Sequence, residues 1–258
     1  GRTAIAVTAG DEYTCAILDN GELVCWGLNW KGQLGLGSTT DKSSPQTVDL
    51  GTGRTAVAIA AGSSHTCAIL DNGNIKCWGF NGDGSLGIGS TTDSRTPVKA
   101  SLGTNTAKQV SIGERQTCAI LDDDSMSCWG ANDRGQLGLG GTGTSDKTSP
   151  KSVNVGSGRT VIGLTTGDSF TCAVLDNQNT SCWGANTHGQ LGLGFLTSTI
   201  PYGRTTPTVL TNLTEAMDGV VKRGEWLGTA NQTGVYDRMV WANSTTSSYS
   251  TTVRITVL

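Results

Sequence analysis

Cys15-Ala-Ile-Leu-Asp-Asn-Gly-Glu-Leu-Val-Cys25-Trp26-Gly27 decides the reading of this chain, because the phrase occurs four times. It returns at 67–79, 118–130 and 172–184. The four copies hold all eight cysteines, two in each, always with nine residues between them. Cys-Ala-Ile-Leu is a short apolar run, Asp19-Asn20-Gly21 is turn chemistry, and Glu22 to Trp26 suits a second strand. A three-residue loop with Gly21 in the left-handed position sets the register of the hairpin. Leu18 then faces Glu22, Ile17 faces Leu23, Ala16 faces Val24 and Cys15 faces Cys25. Directly opposed residues bring their Cβ atoms within disulfide reach. Eight cysteines allow 105 pairings, and the repeat selects Cys15 with Cys25, Cys67 with Cys77, Cys118 with Cys128, and Cys172 with Cys182. Eight reduced, buried cysteines would leave the fixed spacing without a packing reason. Zinc fits poorly too, since the chain has no closely spaced cysteine knuckle and only His65 and His188.

Each staple closes a loop of about eleven residues, for which chain entropy gives roughly 2.8 kcal/mol. Four of them matter to a fold whose net stability is typically about 5–15 kcal/mol. They place the chain in an oxidising compartment, extracellular or at a cell surface, with a signal peptide expected to have preceded Gly1. Charged residues are only 15% and aromatics 5%, while glycine reaches 37 residues. That balance points to an all-β protein. A net charge of −3 without a basic patch gives nucleic acid no electrostatic footprint. No apolar run approaches the length that spans a bilayer.

The repeat is longer than the hairpin. Successive copies are offset by 52, 51 and 54 residues. Units open on Gly1-Arg-Thr-Ala-Ile-Ala-Val, Gly53-Arg-Thr-Ala-Val-Ala-Ile and Gly158-Arg-Thr-Val-Ile-Gly-Leu, and the third departs with Asn105-Thr-Ala-Lys-Gln-Val-Ser. After each hairpin comes a glycine-rich phrase such as Gly32-Gln-Leu-Gly-Leu-Gly37, then a polar loop, then a run beginning at proline such as Pro45-Gln-Thr-Val-Asp-Leu50. Four strands per unit are predicted, in the first near 3–9, 13–19, 22–28 and 46–50. Four strands in about fifty residues is the pattern of a propeller blade. The units fall at about 1–53, 54–105, 106–158 and 159–213. The turn glycine, Gly21 and Gly73, becomes Asp124 and Gln178 in the last two units. A side chain there costs about 1 kcal/mol, so those two turns are expected to differ in detail.

Ala61-Gly-Ser-Ser-His65-Thr-Cys-Ala-Ile-Leu, Cys77-Trp-Gly-Phe-Asn81 and the following Gly-x-Leu-Gly-x-Gly resemble the RCC1 (regulator of chromosome condensation) repeat. They resemble more closely its secreted, disulfide-bearing bacterial variety, over residues 1 to about 194. It implies an RCC1-like β-propeller or partial propeller, with loops presented on two faces. The family's usual complement is seven blades, against four recognisable repeats here. Residues 214–258 do not match the repeat. They contain Trp226 and Trp241, with strands predicted near 234–242 and 250–258, and read as a C-terminal β segment: a fifth blade, a cap or an assembly strand.

Gly82-Asp-Gly84-Ser-Leu-Gly87 spells a dinucleotide fingerprint but lacks the helix that must follow, so no cofactor is expected. Trp26, Trp78, Trp129 and Trp183 recur in every unit and are expected to pack between blades. Trp30 stands where the other units have Gly82, Asp133 and Thr187, which makes it a contact candidate together with Trp226 and Trp241. Asp122-Asp123-Asp124 clusters three carboxylates in one turn, a solvated turn by default and a calcium site by the sharper reading. No catalytic constellation repeats, and the chain reads as non-enzymatic. Asn179, Asn212, Asn231 and Asn243 fit the glycosylation pattern. The first functional expectation is a secreted structural protein, a subunit of an extracellular filament or surface assembly that associates with itself through the terminal β segment. The second is a module that binds another extracellular protein through blade loops, as the β-lactamase inhibitors of this repeat class do. A nuclear exchange-factor role suits neither the staples nor the charge.

Overall fold

The computed structural model describes residues 1–141, 144–197 and 203–210, together with the backbone of 235–244 and 247–256. Two compact units result, Gly1–Thr211 and Asn212–Leu258. The first holds four antiparallel four-stranded sheets, each with its strands in sequence order. The first sheet comprises β1 (Ala4–Ala9), β2 (Tyr13–Leu18), β3 (Leu23–Gly27) and β4 (Lys42–Thr47). The second runs from β5 (Ala56–Ala61) and β6 (His65–Leu70) to β7 (Ile75–Gly79) and β8 (Ser94–Lys99). The third is β9 (Ala107–Ile112), β10 (Gln116–Leu121), β11 (Met126–Gly130) and β12 (Lys147–Ser152). The fourth is β13 (Val161–Thr166), β14 (Phe170–Leu175), β15 (Thr180–Ala185) and β16 (Gly203–Val209). In the second unit β17 (Val235–Ser244) and β18 (Ser247–Thr256) form a hairpin. Among the described residues no helix is long and apolar enough to cross a membrane.

The central hairpin of each sheet has the register its turn dictates. Ile17 opposes Leu23, Ala16 opposes Val24 and Cys15 opposes Cys25, and the three sister sheets repeat this. The sulfurs are bonded across each pair at 2.10–2.13 Å. The turns do not differ as expected. Asp124 (φ 63°) and Gln178 (φ 67°) occupy the same left-handed conformation as Gly21 (φ 77°) and Gly73 (φ 74°). The strand register on either side over-determines that residue, so the later sheets absorb the steric cost instead of changing the turn. The opening Gly-Arg-Thr phrase also acquires a purpose. Arg2, Arg54 and Arg159 pair with the turn aspartates Asp19, Asp71 and Asp176. These exposed pairs are worth little individually; the third sheet lacks the arginine and keeps only the threonine N–H bond to the turn aspartate, Thr106 to Asp122, that the second and fourth sheets also make.

The fourth strand starts earlier than the sequence suggests. β4 covers Lys42–Thr47 and runs through Pro45, and Pro97, Pro150 and Pro207 sit inside β8, β12 and β16 in the same way. These strands are the edges of their sheets, where one row of N–H groups has no ladder partner, so proline costs no bond.

The cores lie between blades. One groups Ile17, Leu23 and Leu34 of the first blade with Ala56, Leu70 and Trp78 of the second. The next joins Ile69, Ile75 and Leu86 to Val110, Leu121 and Trp129, and the last joins Ile120, Met126 and Leu137 to Leu164, Leu175 and Trp183. Each junction has the same polar seam. The indole N–H of Trp78, Trp129 and Trp183 donates to the carbonyl of Gln33, Ser85 and Gln136 in the preceding blade, at 2.8–3.0 Å. Thr66, Thr117 and Thr171 donate to those same carbonyls. The glycine-rich phrase makes room for the indole: a Cβ on Gly87 would sit 2.7 Å from the Trp129 ring nitrogen.

A second column differs from blade to blade. Tyr13, His65, Gln116 and Phe170 occupy one repeat position. Tyr13 donates to the His65 carbonyl at 2.7 Å, and burial pushes its phenol well above the ordinary range. His65 Nε2 lies 2.9 Å from the Thr117 hydroxyl. That hydroxyl gives its proton to the Ser85 carbonyl, so Nε2 must carry the imidazole proton, and Nδ1 is a buried acceptor without a partner among the described residues. Burial lowers the His65 pKa to about 3, because a charged ring cannot be solvated there.

Candidate protein-binding face

The loops that follow the β3-type strands share one anchor. Asn29, two residues after the Trp-Gly phrase, is fully buried. Its Oδ1 accepts the Leu34 N–H, its Nδ2 donates to the carbonyls of Ser38 and Thr40, and its own N–H donates to the Asp41 carboxylate at 2.8 Å. Asn81 and Asp93 repeat the arrangement in the second blade. With the loop base fixed, its tip is free to vary. The tips carry Trp30-Lys31, Gly82-Asp83, Asp133-Arg134 and Thr187-His188.

Trp30 is 57% exposed, a large apolar ring held out on a rigid loop. Lys31 Nζ lies 4.8 Å from its centroid and 5.1 Å from that of Phe80 in the next blade. The same ammonium is 3.7 Å from Asp93 Oδ2. Lys31 therefore ties the Trp30 loop to the second blade by cation–π and ion-pair contacts, which are modest when exposed. An open groove of 580 Å³ lies along Trp30 and Leu28 and ends at Asp11, Ser63 and Ser64.

That groove adjoins the place where the inner strands turn. Gly10-Asp11, Gly62-Ser63, Gly113-Glu114 and Gly167-Asp168, one pair from each blade, line a mouth of 400 Å³. Ser63 donates to the Glu114 carbonyl, and the Glu114 N–H donates to the Asp168 carbonyl. The mouth thus carries three carboxylate side chains at equivalent positions. Further round, Arg115 lies between Asp83 (3.4 Å) and Asp133 (3.7 Å). Burial pushes the Asp83 carboxyl up despite Arg115. Partial burial also acts to raise Asp133, but the Gln136 amide, Arg115 and Arg134 outweigh it and hold that carboxyl low.

The other residues singled out from the sequence lie elsewhere. Asn179 is exposed in the fourth hairpin turn. Trp241 and Asn243 fall in β17, where only the backbone is described, and Asn212, Trp226 and Asn231 lie outside the described residues. The three acidic side chains at 122–124 take separate partners, the Thr106 N–H, the Ser125 N–H and Lys108 Nζ. His65 is buried in a junction and His188 is exposed on a loop tip. Phe80 escaped the sequence reading. Its link to Trp30 through Lys31 spans fifty residues and has no local signature. Asn29 left a signal, since asparagine recurs two residues after each Trp-Gly.

Four stapled blades joined through shared tryptophan seams define a β-propeller built from sequence repeats. Comparison gives the family: residues 20–69, 72–120 and 123–174 match the regulator of chromosome condensation (RCC1) repeat, and the chain belongs to that family. The matched segments straddle blades, each beginning in one hairpin turn and ending in the second strand of the next blade. The chain is 35% identical over 189 residues to the ultraviolet-B receptor UVR8 of Arabidopsis thaliana, which covers 73% of this chain and 42% of the receptor. It is 32% identical over 154 residues to the human X-linked retinitis pigmentosa GTPase regulator, covering 59% of this chain and 15% of that protein. It therefore spans less than half the length of either relative. Human WBSCR16 has a similar fold, with a TM-score of 0.72 at 21% identity over 81% of this chain and 53% of that one. Yeast RCC1 (Prp20), solved bound to Kap60, gives 0.69 at 18% over 83% and 51%.

Proposed function

We propose that the chain is a secreted, non-enzymatic protein-interaction module that engages another extracellular protein through the face carrying Trp30 and the acidic mouth. The observation that carries this reading is Trp30 itself. A large aromatic ring is exposed on a loop whose base is pinned by Asn29 and Asp41, at a position where the sister blades carry small or polar residues. Rigid exposed aromatics beside polar grooves are the usual anchors of protein interfaces. Three carboxylates at the mouth favour a partner with basic side chains at its tip. The staples support an extracellular setting, and they and the net charge of −3 weigh against the nuclear exchange-factor role for which the family is named. The test is to capture proteins from the surroundings of the native source with the intact chain and with Trp30→Ala. A partner held by the first and lost by the second supports the reading; equal capture by both sinks it.

A second reading, a filament or surface-assembly subunit, is favoured by the terminal hairpin. β17 and β18 are ten residues each and, among the described residues, form a two-stranded sheet. Two-stranded sheets are marginal alone, and open strand edges invite strand addition from a neighbour. Removing 250–258 should then abolish fibres in electron micrographs while the repeats stay folded. Fibres from the truncated chain would end this reading.

A further inference from the structure

Two departures from the repeat meet across the first blade junction. Trp30 replaces the Gly82, Asp133 and Thr187 of its sister loops, and Arg95, in β8, replaces Ser43, Thr148 and Thr205. The Trp30 loop crosses that strand so closely that a Cβ on Gly32 would sit 2.8 Å from the Arg95 Cα. Beside the crossing runs an open groove of 620 Å³. The first blade lines it with Trp30, Lys31 and Thr39. The second blade adds Thr91, Thr92, Asp93 and Arg95. Both walls belong to described blades that share a core, so the groove lies within an interior junction and not on an end face. Its walls are held from behind, since Asn29 Nδ2 donates to the Thr40 carbonyl and Asn81 Nδ2 to the Thr92 carbonyl, at 3.0 and 2.9 Å.

The charges of the lining do not cancel. Asp93 is satisfied within the chain, with Lys31 Nζ 3.7 Å from its Oδ2 and the Asn81 N–H donating to its Oδ1. Arg95 is exposed, and no described carboxylate pairs with its guanidinium. Thr39, Thr91 and Thr92 are exposed as well, and each hydroxyl both donates and accepts. We propose that this groove binds an acidic saccharide, a pyranose that bears a carboxylate, as a uronic acid does. The carboxylate pairs with Arg95, whose planar guanidinium matches it through two parallel hydrogen bonds. The ring C–H groups pack on the electron-rich face of the Trp30 indole. The threonines exchange hydrogen bonds with the ring hydroxyls, and these few placed polar groups fix the orientation. An acidic peptide fits less well, because one aromatic ring among six polar side chains gives its apolar residues little to bury against. The groove along Leu28 and Asp11 that serves the protein-binding reading is a separate one, and Trp30 alone lines both.

The test is isothermal titration calorimetry of the full chain with three probes. These are trigalacturonate, its methyl ester, which keeps the rings and hydroxyls but not the charge, and an oligoglutamate of equal charge. Trigalacturonate should bind at least about tenfold more tightly than either of the others. Arg95→Gln should weaken trigalacturonate at least about tenfold and bring it level with the ester. Trp30→Ala should weaken acid and ester alike, since the ring serves both. Both side chains are exposed, and circular dichroism confirms that the variants keep the fold. No binding of trigalacturonate at about 1 mM, an ester or oligoglutamate that binds as tightly, or an Arg95→Gln chain that binds normally would each overturn the proposal.

Discussion

Trp26 and Trp129 are the same residue in the same strand of the same repeat, yet one is half-buried and the other wholly enclosed. Among the described residues only Trp129 of the two has a blade packed against it from the preceding side. Trp129 has a blade before it that supplies a carbonyl, a glycine slot and an apolar wall. A propeller blade of this kind is therefore not a stable object by itself, because its largest side chain belongs to its neighbour's core. Interior and outer blades should respond unequally to the same change.

Truncation gives the largest contrast. Trp129→Ala should cost about 3–5 kcal/mol, and Trp26→Ala less than about 2 kcal/mol, since its ring is already partly exposed. Denaturant titration of the two variants measures both, and equal losses would break the comparison. Acid comes next and touches one junction. The folded His65 pKa of about 3 lies below its unfolded value of roughly 6.5. Its contribution is complete above pH 6.5 and is lost as pH falls towards 3, because the unfolded chain then binds the extra proton. By pH 4 the loss is on the order of 3 kcal/mol. His65→Gln, which copies the sister residue Gln116, should flatten stability across that window.

The staples separate interior from edge by access. Cys15, Cys67 and Cys118 are fully buried, whereas Cys172 is half-buried. Mild reduction followed by alkylation and mass spectrometry should label Cys172 and Cys182 first, each opened staple removing roughly 2.8 kcal/mol. The smallest effect sharpens the comparison of turns. Gln178→Gly relieves a left-handed side chain and should stabilise by about 1 kcal/mol, while Asp124→Gly should give about half of that, since aspartate tolerates the conformation better. Thermal melts of the two variants check the order.

What was legible in the sequence was what the chain settles locally. The hairpin register follows from a three-residue turn, so the positions of Cys15 and Cys25 could be derived before any fold was known. The role of Trp78 could be inferred from its recurrence. The distinct state of Trp26 could not, because it depends on a neighbour and not on the phrase around it. Pro45 misled the placement of the fourth strand for a similar reason. Proline forbids a central strand, and only the sheet order reveals that β4 is an edge. At the candidate face the sequence pointed to Trp30 as the odd residue of its column, while Phe80, Lys31 and the mouth at Asp11, Glu114 and Asp168 needed three-dimensional proximity.

The staples also have a mechanical meaning. A molecule anchored at a cell surface and tugged from its far end would give way blade by blade, since each blade leans on the one before it. In every released blade the bond between opposed cysteines, such as Cys118 and Cys128 with their Cα atoms 4.1 Å apart, withholds the nine residues between them. That keeps back about 30 Å of contour per blade, so the chain pays out in shortened steps and the hairpin that reseeds each blade survives the pull.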